Sequence, residues 1–588
     1  MRRCLPFVVA VLLAMVPAHG DRRVFASPGQ AAPRPAATSE TDQARGGTVD
    51  VQLLAFNDFH GTLLPRTGSN GRIADTDAGG VEYLAAQLNR LRDSNPNTII
   101  VSAGDNVGAS PLLSAMFHDE PTVEALGAAG LQVSAVGNHE LDEGWAELVR
   151  LQQGGCHPTD GCQDGTPFSG ASYQYLAANI LLDPRLADAT ALRRLGITGD
   201  RRRHVLPAAN VKTIDGIKIG FIGLTLRGAP QIVSPAGIRG LIFQDEAIAA
   251  NAEARRLRQL GVRAIVVLIH EGGTPRGDDV NGCNGFSGPI INIAKQMSDA
   301  IDVVVSGHTH EVYNCRIGNK LVTSAASYSR VVTDIDLTID RRTGRVVTKT
   351  ARNLVVAHDQ AKSSDESALI AHYEPFARTL GGKIVGSITA PLVREPNARG
   401  ESGLGDAIAD AMFDAARARV PGGAAVAFWN AGGIRSDLIG TTGSAPHLDV
   451  TYEQVFDVLP FGNQLVIRTM TGAALLKMLE QQFDNPDPGR TKVLQMSSSM
   501  TYAYDQTRPP GQRIDAASVR IAGRPLVPTA TYRIATSDFV WAGGDGFSAA
   551  TVATDPMVIG VDVEILLDHL KTHSPLSPGP QNRIQGSE

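Results

Sequence analysis

A chain of 588 residues is several times longer than one hydrophobic core can grow, which excludes a simple one-core protein and predicts at least two domains. Hydrophobic residues at 43% and charged residues at 19% lie in the ordinary globular range and confine disorder to the ends. A formal net charge of -6 with no basic run argues against an electrostatic partner of nucleic-acid polymer, while a single nucleotide stays permissible as a ligand.

The chain opens with Arg2 and Arg3, an apolar run from Leu5 to Val16, and small residues around Ala18 to Gly20 and at Val24-Phe25-Ala26. That layout predicts a secretory signal peptide over residues 1–26, too short in its apolar part to span a bilayer. Residues 27–47 are rich in Pro, Ala, Thr and Gly without periodicity and read as a disordered linker. No later apolar stretch is long enough to cross a membrane, and residues 576–588 form a polar tail. The expected location is secreted, periplasmic or cell-wall associated. Leu64-Pro65-Arg66-Thr67-Gly68 has the form of a sortase pentapeptide, but it sits near the mature N-terminus and is read as coincidence.

Beyond Cys4 the chain holds Cys156, Cys162, Cys283 and Cys315. An even number in an exported chain suits two disulfides with three possible connectivities. Cys156 with Cys162 is the favoured pair, since both flank a short turn-rich loop. A four-cysteine zinc site is disfavoured because no CxxC spacing occurs.

From Val49 to about Leu354 short β-branched runs alternate with turns and helical patterns, the signature of a layered α/β domain, bounded here at 48–362. Its informative runs are Val49 to Phe56, Thr98 to Ala103, Val133 to Val136, Ala264 to Ile269 and Ile301 to Ser306. A connecting helix is expected in 363–382, with Leu369, Ile370, Tyr373, Phe376 and Leu380 at helical spacing. A second domain over 383–575 carries helices at Gly405 to Ala418 and Gly472 to Phe483. Its strands are expected at Ala424 to Phe428, Gln464 to Met470 and Thr531 to Thr536.

Each of the five runs ends in a polar cluster: Asn57-Asp58-Phe59-His60, Gly104-Asp105, Gly137-Asn138-His139-Glu140, His270-Glu271 and Gly307-His308-Thr309-His310. Ligand sites of α/β sheets lie beyond the carboxyl ends of strands, so the five can converge on one crevice. Asp58/His60 and His308/His310 are each spaced by two, which on an extended segment points both side chains the same way. With Asp105, Asn138 and His270 the set supplies carboxylate, amide and imidazole donors for two divalent cations, too many for one. Taken singly, these residues also read as caps, loop residues or core histidines.

The series DxH, GD, GNHE, H and GHxH, in this order, resembles the calcineurin-like metallophosphoesterases, and GNHELD at Gly137 to Asp142 resembles their 5'-nucleotidase branch. The resemblance implies a β-sandwich flanked by helices, followed by a smaller C-terminal α/β nucleotide-binding domain. It also implies two divalent metal ions drawn from Mn, Zn, Co, Mg or Ca. One would take Asp58, His60, Asp105 and His310; the other Asp105, Asn138, His270 and His308, with Asp105 bridging. By the same resemblance His139 stabilises charge on the phosphoryl group or leaving oxygen, and Asp142 orients its imidazole. Asp142 also reads as an N-cap for a helix starting near Glu143.

In the second half, Asn430-Ala431-Gly432-Gly433-Ile434-Arg435, Pro460-Phe461-Gly462-Asn463 and Phe539 to Phe547 resemble the family's substrate motifs. Phe461 and Phe539 are candidates to sandwich a base, Asp545 to accept from ribose hydroxyls, Asn430 to meet the base edge and Arg435 to fork onto phosphate. Arg394 is a further phosphate candidate before Gly403-Leu404-Gly405. The implied activity is hydrolysis of nucleoside 5'-phosphates by in-line attack of water. The alternatives are a 2',3'-cyclic nucleotide phosphodiesterase with 3'-nucleotidase activity, a hydrolase of UDP-sugars or NAD, and a non-enzymatic binding protein. The sequence sets no oligomeric state.

Overall fold

In this computed structural model the described residues are 47–442, 446–483 and 491–587. The expected signal peptide and nearly all of the expected linker lie outside them.

Twelve strands build the two large sheets of the first half. In chain order they are β1 Thr48–Phe56, β2 Thr98–Ser102, β3 Leu131–Ala135, β4 Gln174–Leu176, β5 Ala209–Ile214, β6 Ile217–Thr225, β7 Ala264–His270, β8 Val303–Ser306, β9 Val312–Ile317, β10 Lys320–Ala325, β11 Val331–Asp340 and β12 Val346–Val355. They form two six-stranded sheets, ordered β12-β11-β1-β2-β3-β4 and β9-β10-β8-β7-β6-β5. In the first, β1 runs antiparallel to β11 from Thr48↔Asp340 and parallel to β2 from Gln52↔Thr98. In the second, β6, β7 and β8 run parallel, with Ile219 opposite Ala264 and Val266 opposite Val303.

The period of two along each strand divides its side chains between two covered faces, so these strands read as continuous apolar runs. Val51, Leu53, Ala55, Val101 and Val133 meet Phe221, Val266, Leu268 and Val305 between the sheets. Leu54, Phe56 and Ile100 face outward onto helices α1 (Val81–Ser94) and α2 (Glu120–Ala128). Ile222, Val267 and Ile269 do the same against α3 (Glu246–Gln259) through Ala250 and Leu257. A fully buried Leu, Ile, Val or Phe in these layers contributes roughly 1.5–3 kcal/mol relative to exposure.

Helix α4 (Ser364–Gly381) carries Asp365 and Glu366 in its first turn and Arg378 in its last, both favourable to the helix dipole. It buries Ile370, Tyr373 and Ala377 at i, i+3, i+7 spacing. The Tyr373 hydroxyl donates to Glu124 Oε2 of α2 at 2.8 Å, and its ring meets Phe117 edge-on at 4.8 Å. Beyond it lies a five-stranded sheet built from β13 Val426–Asn430, β14 Gln464–Thr471, β15 Leu494–Met496, β16 Thr531–Ser537 and β17 Thr554–Val561, in the order β15-β13-β16-β14-β17. Alternation again serves two cores: Val426, Phe428 and Val466 on one face, Ala427, Trp429 and Leu465 on the other, where α5 (Gly403–Arg419) packs.

Two expectations change. The tail does not trail free: Ile584–Ser587 pairs in parallel with Met500–Asp505. Arg583 anchors it by donating to Asp410 Oδ2 at 2.6 Å. The helix after Asp142 starts at Trp145 and is capped by Gly144, so Asp142 is not its N-cap.

Both cysteine pairs are bonded, Cys156–Cys162 with Cα atoms 4.7 Å apart and Cys283–Cys315 at 5.3 Å. Among the described residues no helix is long and apolar enough to cross a membrane.

Candidate metal and nucleotide site

The carboxyl ends of β1, β2, β3, β7 and β8 open on one edge of the sandwich. All seven expected ligands come from there. The loops after β1 and β2 keep pairing beyond their strands: Asp58 N–H donates to Gly104 O, His60 N–H to Asp105 O and Gly61 N–H to Asn106 O, each at 3.0 Å. That pairing requires left-handed backbone. Asp58, His60 and Asp105 have φ of 51°, 49° and 51°, and across the crevice His308 and His310 have 74° and 58°. The spacing of two therefore does not act through an extended segment, as the sequence suggested. Successive strained turns aim the side chains inward, a conformation that persists only where surrounding contacts hold it.

The imidazoles are oriented from behind. His60 Nδ1 lies 2.9 Å from Gly108 O and His270 Nδ1 2.9 Å from Ala103 O. A carbonyl only accepts, so each Nδ1 carries the proton and each Nε2 lone pair faces the centre. There His60 Nε2 and His310 Nε2 stand 3.1 Å apart, and His310 Nε2 is 3.3 Å from Asp58 Oδ1. His270 Nε2 is 2.8 Å from Asp105 Oδ2 but is not aligned for a hydrogen bond. It is buried without a hydrogen-bond partner, as is Asn138 Oδ1. Buried donors and acceptors left unpaired are costly unless something else satisfies them. The donor types, their convergence and these two orphaned atoms fit a pair of divalent cations. Donor atoms lie within 4.8 Å of one another in Asp58 with His60 and His310, in Asp105 with His270 and His308, and in His60 with Asp105 and His139.

The electrostatics agree with a site that attracts cations. Burial works to raise the Asp105 carboxyl, but His270, His139 and His60 around it hold it well below its ordinary range. Burial pushes His60 well below the ordinary imidazole value, keeping it neutral and able to ligate. Glu140, which the sequence left without a role, accepts from the backbone N–H groups of Asp105 (2.9 Å), Asn106 (2.8 Å) and Gly137 (2.6 Å). It ties the β2 and β3 loops together. Its place in Gly137-Asn138-His139-Glu140 was the only sequence signal. Asn57 does similar work, donating to Asp58 Oδ2 and Ala326 O at 2.6 Å while accepting from Ala325 N–H at 2.8 Å.

His139 and Asp142 meet as expected: Nδ1 to Oδ2 is 2.7 Å, and His139 N–H donates to Asp105 Oδ1 at 2.8 Å. Burial opposes charge on His139, but Asp142 and Asp105 raise its pKa overall. Phe461 lies nearly parallel to the His139 ring at 5.7 Å and 20°. The two halves are held by Leu112 N–H to Asp457 Oδ1 (3.2 Å) and Asn70 Nδ2 to Arg435 O (3.2 Å).

Between them runs a cavity of about 830 Å³. Asn138, His139 and His308 line one side; Arg435, Phe461, Phe539 and Asp545 line the other. Arg435 Nε and Nη2 are buried without partners, and its guanidinium stands 5.8 Å from the Phe461 ring centre. Asn430 is in the same cavity, but its Nδ2 donates to Asp545 Oδ2 at 2.8 Å, which makes it a holder of Asp545 as much as a reader of a base. Lys492, unmarked in the sequence, pairs with the other Asp545 oxygen at 3.1 Å.

Arg394 stands apart from this wall. It donates to Asn70 Oδ1 at 3.0 Å and lines a neighbouring cavity of about 450 Å³. Arg66 and Tyr328 were also missed. Arg66 lies over the Tyr328 ring at 5.0 Å, and Tyr328 N–H donates to Asp58 O at 2.7 Å behind the candidate ligands.

Comparison with known proteins follows the same division. Residues 51–312, which include all seven candidate ligands, match the calcineurin-like phosphoesterase family. Residues 384–552, which include the six candidate substrate residues, match the 5'-nucleotidase C-terminal domain. Endonuclease YhcR from Bacillus subtilis is 29% identical over 550 residues, covering 92% of this chain and 41% of that protein, so this chain spans less than half of its length. Cell wall protein Lmo0130 from Listeria monocytogenes is 30% identical over 562 residues, covering 91% and 68%. The crystal structure of a 5'-nucleotidase precursor from Thermus thermophilus matches with a TM-score of 0.72 at 25% identity, covering 92% of this chain and 99% of that one. The chain belongs to the 5'-nucleotidase family of calcineurin-like phosphoesterases, hydrolases of phosphoric ester bonds.

Proposed function

We propose that this chain is an exported, metal-dependent 5'-nucleotidase that converts nucleoside 5'-monophosphates to nucleoside and phosphate. The observation that carries this reading is the single cavity shared by Asn138, His139 and His308 with Arg435, Phe461, Phe539 and Asp545. Its volume lies within the roughly 300–1,000 Å³ typical of small-molecule sites. Asp58, His60, Asp105 and His310 would hold one divalent ion, and Asp105, Asn138, His270 and His308 the other. Bound there, such ions polarise phosphoryl oxygens and lower the pKa of water. Arg435 meets the phosphate with its unpaired Nε and Nη2. Phe461 and Phe539 take the faces of the base, Asp545 takes the ribose hydroxyls, and Asn430 steadies Asp545. Arg394 contributes positive charge from the adjoining cavity.

His139, held as an imidazolium by Asp142 at Nδ1–H, donates Nε2–H to the leaving 5' oxygen. In this reading residues 48–362 form the metal-binding domain, 363–382 the connecting helix and 383–575 the substrate domain. Export is supported by two disulfides and by the likeness to a cell wall protein.

One observation favours a second reading. The 450 Å³ cavity shares Asn430, Gly432, Lys492 and Asp545 with the larger one, which leaves room for a group beyond the ribose. A nucleotide sugar or NAD would use that room.

The test is phosphate release by the purified chain from AMP, UDP-glucose, NAD and 2',3'-cyclic AMP, with added Mn and with chelator. Chelator-sensitive release from AMP is expected, lost on His139→Ala. Intact AMP with every one of Mn, Zn, Co, Mg and Ca would overturn the reading.

A further inference from the structure

The loop that carries Arg66 reaches from the metal half to the arginines of the other half. Arg66 donates through Nε to Thr62 Oγ1 at 3.4 Å and through Nη2 to His60 O at 3.3 Å, while its Nη1 is buried without a hydrogen-bond partner. Further along the same loop, Asn70 donates to Arg435 O at 3.2 Å and accepts from Arg394 Nη2 at 3.0 Å. The guanidinium of Arg66 stands 5.0 Å from the Tyr328 ring centre and that of Arg330 5.6 Å. The Tyr328 ring, itself buried, lies 5.7 Å from the His60 ring and meets His310 edge-on at 5.3 Å.

We propose that Arg66 and the Tyr328 hydroxyl are phosphate-binding groups supplied by the metal half, and that with Arg435 and Arg394 they complete a pocket for the unesterified oxygens of a phosphoryl dianion beside the candidate metal ligands. On the 5'-nucleotidase reading, on which this rests, that dianion is first the phosphoryl group of the substrate and then the released phosphate.

Charge is the first support. Among the described residues, Arg66, Arg330, Arg394 and Arg435 form no ion pair with a carboxylate. Asp457, the carboxylate that acts on Arg66, accepts instead from Leu112 N–H at 3.2 Å. The four positive charges converge on Tyr328: burial works to raise its hydroxyl, but Arg435, Arg394, Arg66 and Arg330 bring it below its ordinary value. Buried cations without a counter-charge are costly, and a bound dianion relieves that cost.

The donors point to the same ligand. Arg330 is committed to Ser327 O at 3.0 Å and to Ser69 O and Arg72 O at 3.2 and 2.9 Å. Arg394 is held by Asn70 and by Ile434 O at 3.4 Å, so it adds charge more than contacts. The buried donors left unpaired in this group are Arg66 Nη1 and Arg435 Nε and Nη2. Guanidinium N–H groups of this kind match the planar, forked recognition of phosphate oxygens. Sequence gave no hint of the pairing, because Arg66 and Arg435 come from different halves of the chain.

Isothermal titration of inorganic phosphate into the Mn-loaded whole chain reads the pocket without turnover, with bound metal measured in each sample. Wild type is expected to bind one phosphate per chain. Arg66→Gln should weaken it about 10- to 150-fold, the loss of a hydrogen bond to a charged group. Tyr328→Phe, which keeps the ring against His60 and His310, should weaken it about 10-fold. Adenosine, which lacks the phosphate, should bind all three proteins alike, and KM for AMP should rise in step with the phosphate dissociation constant. Unchanged phosphate affinity in both variants would overturn the proposal, as would equal weakening of phosphate and adenosine or a loss explained wholly by lost Mn. A chain that leaves AMP intact yet loses phosphate on Arg66→Gln would refute the nucleotidase reading and keep the pocket.

Discussion

Replacing Asp142 by Asn keeps the shape of the side chain and removes its charge. In the wild type the carboxylate accepts from His139 Nδ1–H at 2.7 Å, with the two side chains only 13% and 23% exposed. A hydrogen bond to a charged partner contributes about 1.5–3 kcal/mol, and a neutral one about 0.5–1.5 kcal/mol. The Asn amide oxygen still accepts, so the net deficit is on the order of 1–2 kcal/mol. At 1.36 kcal/mol per decade that is roughly a 5- to 30-fold loss in rate. Because His139 is assigned to charge that develops as the ester oxygen leaves, the loss should fall on kcat and spare KM. Asp142→Ala, which removes the acceptor altogether, should cost about 10- to 150-fold. The assay is initial-rate phosphate release from AMP at saturating Mn, with bound metal measured in parallel. Wild-type kcat in Asp142→Asn, or a fall explained wholly by lost metal, would refute the role given to this pair.

Three further outcomes are expected. Phe461→Ala and Phe539→Ala should each raise KM for AMP about 5- to 150-fold, the equivalent of about 1–3 kcal/mol of base stacking, and unchanged KM in both would remove the sandwich. His118 carries its proton up to about pH 9 in the folded chain against about 6.5 in the unfolded one. The groups facing it are Glu143, Asp160, Glu147 and His157. Its contribution in the metal-free chain is therefore complete below about pH 6.5 and fades as pH rises to about 9, by about 1–3 kcal/mol. His118→Gln should flatten urea-midpoint curves in that window. Opening the Cys283–Cys315 bridge by Cys283→Ser, across a separation of 32 residues, should lower unfolding free energy by roughly 3–4 kcal/mol on the loop-entropy estimate. An unshifted urea midpoint would count against the bond.

The sequence carries the outline of the fold because the sandwich strands are covered on both faces. Val49 to Phe56 and Ala264 to Ile269 could hardly be anything but buried strands, and they appear as Thr48–Phe56 and Ala264–His270. The polar clusters at their ends were legible for the same reason: Asp58, Asp105, Asn138, His270 and His308 interrupt apolar runs abruptly. What holds them was not. The left-handed turns at Asp58 and His60 come from hydrogen bonds to Gly104 and Asp105, nearly fifty residues away, and no local propensity announces them. Glu140 was hidden because a carboxylate that receives three backbone N–H groups looks in sequence like any surface glutamate. Arg394 was placed by motif, and the structure sets it in a neighbouring cavity held by Asn70. Ile584–Ser587 sits among prolines and polar residues, and only a distant strand gives it a partner.

The outer nitrogens of His60 and His270 rest on main-chain carbonyls, those of Gly108 and Ala103. No side-chain replacement can delete a carbonyl. The tautomers that aim these rings inward thus survive genetic drift for as long as the loop trace does, and the same trace is fixed by backbone pairing between the β1 and β2 loops. In the proposed reading, recognition of the base rests instead on individual side chains, Phe461, Phe539 and Asp545, carried by the other half of the chain. Descendants of such a protein can trade substrates by changing a few residues there and inherit the hydrolytic centre untouched.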